Sequence, residues 1–320
     1  LGVSFFFVLS GFLITYLLLF EKENGGVIKL PKFYLRRILR IWPLYFIVFL
    51  IGILFAALAL PNLPFITNFY SSATVWYVAF LANFWIIAHR GISTILVVLW
   101  SISVEEQFYL VWPVVMKFVK KRFVPWLLCS LIVIAIIYRY INWENYKMVD
   151  YSTFSVMSDL AIGALLGFFS FYVPHFRDKM ARYLTRAKVI GIYVLFVGLF
   201  LLKIYAYAII PPSLRPLYGA LLPIFFAVVF ALIIFEQNYS IHSFFKASAS
   251  HAIVYLGKIS YGLYVYHIIA ISLTFYLLSL INVHSKFLIT IISFGLTVFM
   301  AHVSNKYIEQ KILRLKDRMR

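Results

Sequence analysis

Pro216-Leu-Tyr-Gly-Ala-Leu-Leu-Pro-Ile-Phe-Phe-Ala-Val-Val-Phe-Ala-Leu-Ile-Ile-Phe235 contains no Asp, Glu, Lys or Arg. Coiled into a helix that rises about 1.5 Å per residue, a run of roughly 20 such residues crosses the ~30 Å hydrocarbon layer of a bilayer. Comparable apolar stretches flank it near residues 1–20, 42–60, 73–88, 96–116, 124–141, 153–173, 188–210, 260–282 and 285–305. All but 73–88 are long enough to span. Lipid offers the backbone no hydrogen bonds, so each crossing must satisfy its own polar groups, and none of these stretches has the two-residue alternation of a membrane barrel. The predicted fold class is therefore all-α, a polytopic transmembrane helix bundle of about nine crossings with one short re-entrant or interfacial segment at 73–88.

Composition agrees. The chain of 320 residues is 64% apolar, 20% aromatic and only 12% charged, outside the range of soluble domains. Its net charge of +18 does not point to nucleic acid, because the basic residues are parcelled between apolar stretches instead of forming one stripe. If 73–88 does not cross, 23 of the 29 Lys and Arg fall on one side, which the positive-inside rule makes cytoplasmic. The C-terminus is then cytoplasmic and residue 1 lies on the outer side. Pro31, Pro43, Pro61, Pro125, Pro211 and Pro216 fall near the expected helix ends, where proline is tolerated. Cys129 is the only cysteine, which excludes an internal disulfide and a cysteine-rich metal site. No P-loop, HExxH helix, zinc spacing or GxSxG elbow is present, and no metal is expected. Residues 1–320 read as a single domain. Gly163-Ala-Leu-Leu-Gly167 is a small-xxx-small pattern that lets two helices approach closely.

Chemistry is sought among polar residues held inside apolar stretches. Glu105 and Glu106 lie in Trp100-Ser-Ile-Ser-Val-Glu-Glu-Gln-Phe-Tyr109, close to the middle of a crossing. An ionised residue there costs about 3 kcal/mol on insertion scales, so such acids face water, a ligand or a partner. Helical spacing lines up Ser101, Glu105, Tyr109 and Trp112 and turns Glu106 about 100° away. One acid is expected to face a site and the other a structural partner, the lesser alternative being ion pairing that merely holds the bundle together. His267, two turns into its helix with Tyr264 one turn before it, suits proton transfer, or else is a hydrogen-bonded packing residue. His302 reads as packing and Asp159 as a polar clamp between helices. His89 and Arg90 end the short segment and either line a vestibule or sit at the interface. Arg36 and Arg40 share a helix face, with Arg37 beside it. These guanidinium groups either grip the phosphates of a nucleotide-bearing acyl donor or anchor the helix to anionic lipid.

Four passages together resemble the acyltransferase 3 family of bacterial membrane enzymes: Gly2-Val-Ser-Phe-Phe-Phe-Val-Leu-Ser-Gly-Phe-Leu-Ile-Thr15, Phe33-Tyr-Leu-Arg-Arg-Ile-Leu-Arg-Ile-Trp-Pro-Leu-Tyr45, Trp100 to Pro113, and Ser260-Tyr-Gly-Leu-Tyr-Val-Tyr-His267. The closing Ser304-Asn-Lys-Tyr-Ile-Glu309 is similar to the family's ending. The resemblance implies transfer of an acyl group, expected to be acetyl, from a cytoplasmic acyl-CoA to a hydroxyl of a surface or exported glycan or glycolipid, such as polysaccharide or lipopolysaccharide. It implies a place in the bacterial inner (cytoplasmic) membrane and no bound cofactor, acetyl-CoA being a substrate. Partners are then acyl-CoA, the glycan acceptor and the lipid bilayer, and not nucleic acid. By the same resemblance Glu105 and His267 are the catalytic candidates and Arg36, Arg37 and Arg40 lie on the donor side; Trp100, Ser101, Tyr109 and Tyr264, beside them on the same helices, are the further substrate-binding candidates. Family members carry a further helix before the first motif, with an arginine and a histidine regarded as catalytic. The chain is accordingly expected to be N-terminally truncated and inactive alone.

A transporter or flippase that uses Glu105, Glu106 and His267 as a pathway is the rival reading, and a non-catalytic relative that kept the fold is a third. No inverted repeat or matched pair of broken helices favours the transporter.

Overall fold

The computed structural model describes residues 1–59, 73–89 and 95–317. Among them no strand occurs, and nine helical stretches are long and apolar enough to cross a membrane. The protein is a multi-pass membrane protein. Its helices are α1 (Gly2–Gly25), α2 (Leu30–Ala59), α3 (73–78), α4 (Ala82–Ala88), α5 (Leu99–Phe118), α6 (Val124–Ile141), α7 (Tyr146–Tyr151), α8 (Thr153–Tyr172), α9 (Pro174–Tyr183), α10 (Arg186–Ile209), α11 (Arg215–Tyr239), α12 (His251–Lys258), α13 (Ser260–Ser279), α14 (Lys286–Ser304) and, after a π turn at Asn305–Glu309, α15 (Gln310–Asp317). The segment 73–88 is not among the spanning stretches. It breaks into α3 and α4 at Phe80, whose backbone sits at φ 54°, a left-handed conformation uncommon for an aromatic residue. Pro61 and Arg90 lie outside the described residues.

Pro43 corrects the sequence expectation. It lies inside α2 and not near an end, because the basic run before it continues the same helix. Pro43 leaves the Leu39 carbonyl without its helical donor, a loss that membrane helices tolerate where neighbours re-satisfy the backbone. Pro113 and Pro223 are likewise internal, to α5 and α11.

The chain forms two compact units. The first comprises Leu1–Lys29 and Gln107–Ala247, and the second Leu30–Glu106 and Ser248–Arg320. In the first, α8 is the central element, packed on α1, α6 and α11, with α10 on α11. Glycines decide how close α1 and α8 come. A Cβ on Gly163 would overlap the Val8 carbonyl, one on Gly11 the Leu160 carbonyl, and one on Gly167 would press on Phe12. Val8, Phe12, Ile162, Phe226 and Phe230 form the apolar core beside this seam.

This unit also buries charge. Arg139 and Asp159 are each 2% exposed, with Arg139 Nη2 3.9 Å from Asp159 Oδ1. Arg139 donates from Nε to Ser155 at 3.0 Å and from Nη2 to Ser158 at 2.7 Å, along the first turns of α8. Asp159 is therefore a clamp between helices. Arg139, which falls within the predicted crossing 124–141, is its partner inside the bundle. At the end of α11, the buried Glu236 carboxylate accepts from Tyr193 at 3.1 Å and Gln237 at 2.7 Å and is bonded to Ser243, which fastens the loop that follows.

In the second unit α13 packs along α14 and touches α2, α12 and the 3-10 turn Ile95–Val98, while α15 and the π turn lie on α2. Asn282, at φ 56°, makes the tight turn between α13 and α14, a left-handed position that asparagine accepts more readily than most residues.

Candidate active site

The second unit gathers polar side chains that the sequence scatters over more than two hundred positions. α2 supplies Arg37, Arg40 and Trp42, the first half of α5 supplies Ser101, Glu105 and Glu106, α13 supplies Tyr261 and Tyr264, and the π turn supplies Glu309. Trp42 Nε1 donates to Glu106 Oε2 at 3.0 Å. Arg37 lies within electrostatic reach of Glu106, and Arg40 of Glu309. The Tyr261 phenol donates to the Ile41 carbonyl at 2.9 Å and feels three carboxylates, those of Glu106, Glu105 and Glu309. Acids and guanidinium groups thus share one region, so their opposite charges offset much of the burden of keeping either in an apolar helix.

Ser101 and Tyr264 form a second, connected layer. Tyr264 donates its single phenolic proton to the Val98 carbonyl at 3.0 Å, so at 2.6 Å Ser101 must be the donor to the Tyr264 oxygen. This pair ties α13 to the turn that starts α5. His267 Nδ1 contacts the Tyr264 carbonyl one turn before it, with the two rings 5.5 Å apart. A carbonyl only accepts, so Nδ1 carries a proton, and in the neutral ring Nε2 is then the nitrogen with a lone pair.

The remaining candidates are placed as follows. Arg36 and Arg40 are exposed on one face of α2, while Arg37 is half-buried with its guanidinium 5.5 Å from the Phe33 ring. Trp100 is half-buried at the second residue of α5. Tyr109 falls in the first unit, where it is bonded to Ser10. Trp112 there donates to Thr15 at 2.8 Å. His89 stacks on Trp85 with ring centroids 3.5 Å apart, and His302 is bonded to Tyr255. Among the described residues no group of three His, Cys, Asp or Glu could hold a metal ion.

Sequence reasoning assigned no role to Trp42, Tyr261 or Glu309. Each sits inside a quoted motif, but only folding shows that an indole from α2 reaches the acid of α5. The π turn gives one further signal, since an extra residue in a helical turn redirects the side chains after it, here Glu309, which accepts from Ser304 at 3.2 Å.

A helical, multi-pass membrane protein that keeps carboxylates, phenols, guanidinium groups and a histidine within its spans belongs to the class that does chemistry or moves polar ligands inside a bilayer. A profile of the acyltransferase domain family, acyltransferase 3, matches residues 1–303, and the chain belongs to that family. Among its relatives is the O-acetyltransferase OatA of Staphylococcus aureus, 29% identical over 329 residues in strains NCTC 8325 and COL, covering 98% of this chain and 52% of the relative. Another protein of strain COL, provisionally named an O-acetyltransferase, is 28% identical over 330 residues, covering 97% of this chain and 52% of its own length. The chain spans about half the length of the curated relatives it matches. No solved structure matches it significantly.

Proposed function

We propose that this chain is the membrane-embedded acyl-transfer part of an O-acetyltransferase, moving an acetyl group from cytoplasmic acetyl-CoA to a hydroxyl of a surface or exported glycan. The observation that carries the reading is the acyltransferase-domain match over residues 1–303, reinforced by relatives named O-acetyltransferases over nearly the whole chain. The cluster in the second unit is consistent with it, because three of the four motifs contribute to one set of side chains.

In this reading the arginine face of α2 takes the phosphates of the donor, with Arg36 and Arg40 set for a planar, two-pronged grip. The acceptor oxygen attacks the thioester carbonyl, a C–O bond forms and the C–S bond breaks. The hydroxyl proton passes to a base and then to the departing sulfur, which leaves as the thiol. The base is a histidine, either the one that family members carry on the helix before the first motif or His267 through Nε2, and Glu105 balances the imidazolium charge that develops. Ser101 and Tyr264 hold the helix that carries His267.

The test uses vesicles bearing the full-length protein and acetyl-CoA labelled in the acetyl group. Labelled glycan is expected. Glycan that crosses the membrane without gaining label would establish a transporter instead. Glu105→Gln is expected to abolish labelling while the protein remains folded and inserted, and normal turnover by that variant would remove Glu105 from the mechanism.

A further inference from the structure

Glu106, which the sequence sets apart from the reactive stripe, is only half satisfied. Its Oε2 is held by the Trp42 indole, but its Oε1 is buried and, among the described residues, accepts no hydrogen bond. A buried acceptor left without a donor is among the costlier defects a fold can carry, and most native structures avoid it. If Glu106 existed only to receive the indole proton, a neutral amide oxygen would serve equally well, without the desolvation of a second carboxylate oxygen.

The surroundings hold this carboxylate in place instead of relieving it. Trp42 packs against Phe80 with ring centroids 5.3 Å apart and against Phe46 at 6.0 Å. Phe80 is the residue with the left-handed backbone at the break between α3 and α4, and its ring also meets Tyr45 at 4.6 Å. Strained backbone of this kind persists where the surrounding structure over-determines it, often beside functional groups. The aromatic wedge fixes the indole, the indole fixes Oε2, and the position of Oε1 follows. Arg37 lies within electrostatic reach of the same carboxyl group and adds a positive charge beside it.

We propose that Glu106 Oε1 is a docking point for a neutral hydrogen-bond donor on a ligand, an O–H or N–H group that completes this carboxylate when the ligand is bound. The inference rests on the acyl-transfer reading for its ligands. Two sources carry such a group, the hydroxyl of the glycan acceptor and the amide N–H groups of the acyl-CoA arm. Trp42 is the positioning residue for this contact, and Glu106 is distinct in role from Glu105.

The experiment is steady-state kinetics of the full-length protein in vesicles, with acetyl-CoA and acceptor varied separately. Glu106→Gln keeps an oxygen for Trp42 and places an NH2 group where the ligand's donor would go, so donor meets donor. A rise of about tenfold or more in one KM is expected, as for loss of a hydrogen bond to a charged group. A rise confined to the acceptor identifies its hydroxyl, and a rise confined to acetyl-CoA identifies the amide arm. Trp42→Phe keeps the ring and removes only the indole donor, and is expected to raise the same KM by a smaller factor. It also decides the matter if Glu106→Gln fails to fold. Unchanged KM values in folded variants overturn the proposal, as does a lowered unfolding midpoint with both KM values intact, which would mark Glu106 as structural or satisfied by water. Absence of acetyl transfer by the unaltered protein would instead defeat the acyl-transfer reading itself.

Discussion

Arg139 donates to two serines and stands 3.9 Å from Asp159, with both charges almost wholly buried. Such a pair gives little net stability over apolar packing, but it is destructive to break, because the surviving charge is left uncompensated. Asp159→Asn and Arg139→Met are each expected to lower stability by about 3–5 kcal/mol, as read from thermal unfolding in detergent. The double change Arg139→Met with Asp159→Leu is expected to recover most of that loss. If the single changes proved harmless, the pair would not be the clamp of the first unit. The sequence exposed one half of this arrangement only. Asp159 stood out in its apolar surroundings, whereas Arg139, close to the end of its helix, is indistinguishable from an interfacial cation until α6 and α8 are packed together.

At the scale of helices, glycine decides which surfaces meet. The backbones of α1 and α8 touch at Gly11, Gly163 and Gly167, where any Cβ would displace main-chain atoms that cannot rotate away. Gly163→Ala is expected to destabilise by roughly 1–3 kcal/mol, the usual range for overpacking a rigid contact. Gly198 is the control. It faces open space on α10, so Gly198→Ala is expected to be neutral or slightly stabilising in the same unfolding measurement. On α2, the exposed Arg36 and Arg40 lie one turn apart. Changing both to Ala is expected to raise the KM for acetyl-CoA more than that for the acceptor. Unchanged donor affinity would leave them as lipid anchors.

For the molecule as a whole, the distribution of Lys and Arg predicts which ends of the helices face the cytoplasm. Ser248 precedes α12, and His284 lies in the turn between α13 and α14, both exposed. With Cys129 changed to Ser, a cysteine at position 248 is expected to react with an impermeant thiol reagent only from the cytoplasmic side, and one at position 284 only from the outer side. The reverse pattern would invert the topology and place the arginine face of α2 away from cytoplasmic acetyl-CoA. Number and placement of the spans were readable before folding, because hydrocarbon thickness imposes a length and forbids unsatisfied backbone. Helix ends were less so: α2 extends through its basic preface, and Pro43 became internal. The reason is that charged residues flanking a span can continue its helix into the headgroups without any change of apolar pattern.

The sequence by itself determined an all-helical membrane protein, its family resemblance, and the intramembrane acids and histidine, since each of these is a local matter of apolar length, residue type and spacing. Only the tertiary structure decided that Trp42 holds Glu106, that Tyr264 joins Ser101 to the helix of His267, that Tyr109 meets Ser10 and that Arg139 answers Asp159. Those pairings depend on the rotation of one helix against another. That rotation is set by the fit of glycines and aromatic rings across the contact, which no single segment encodes.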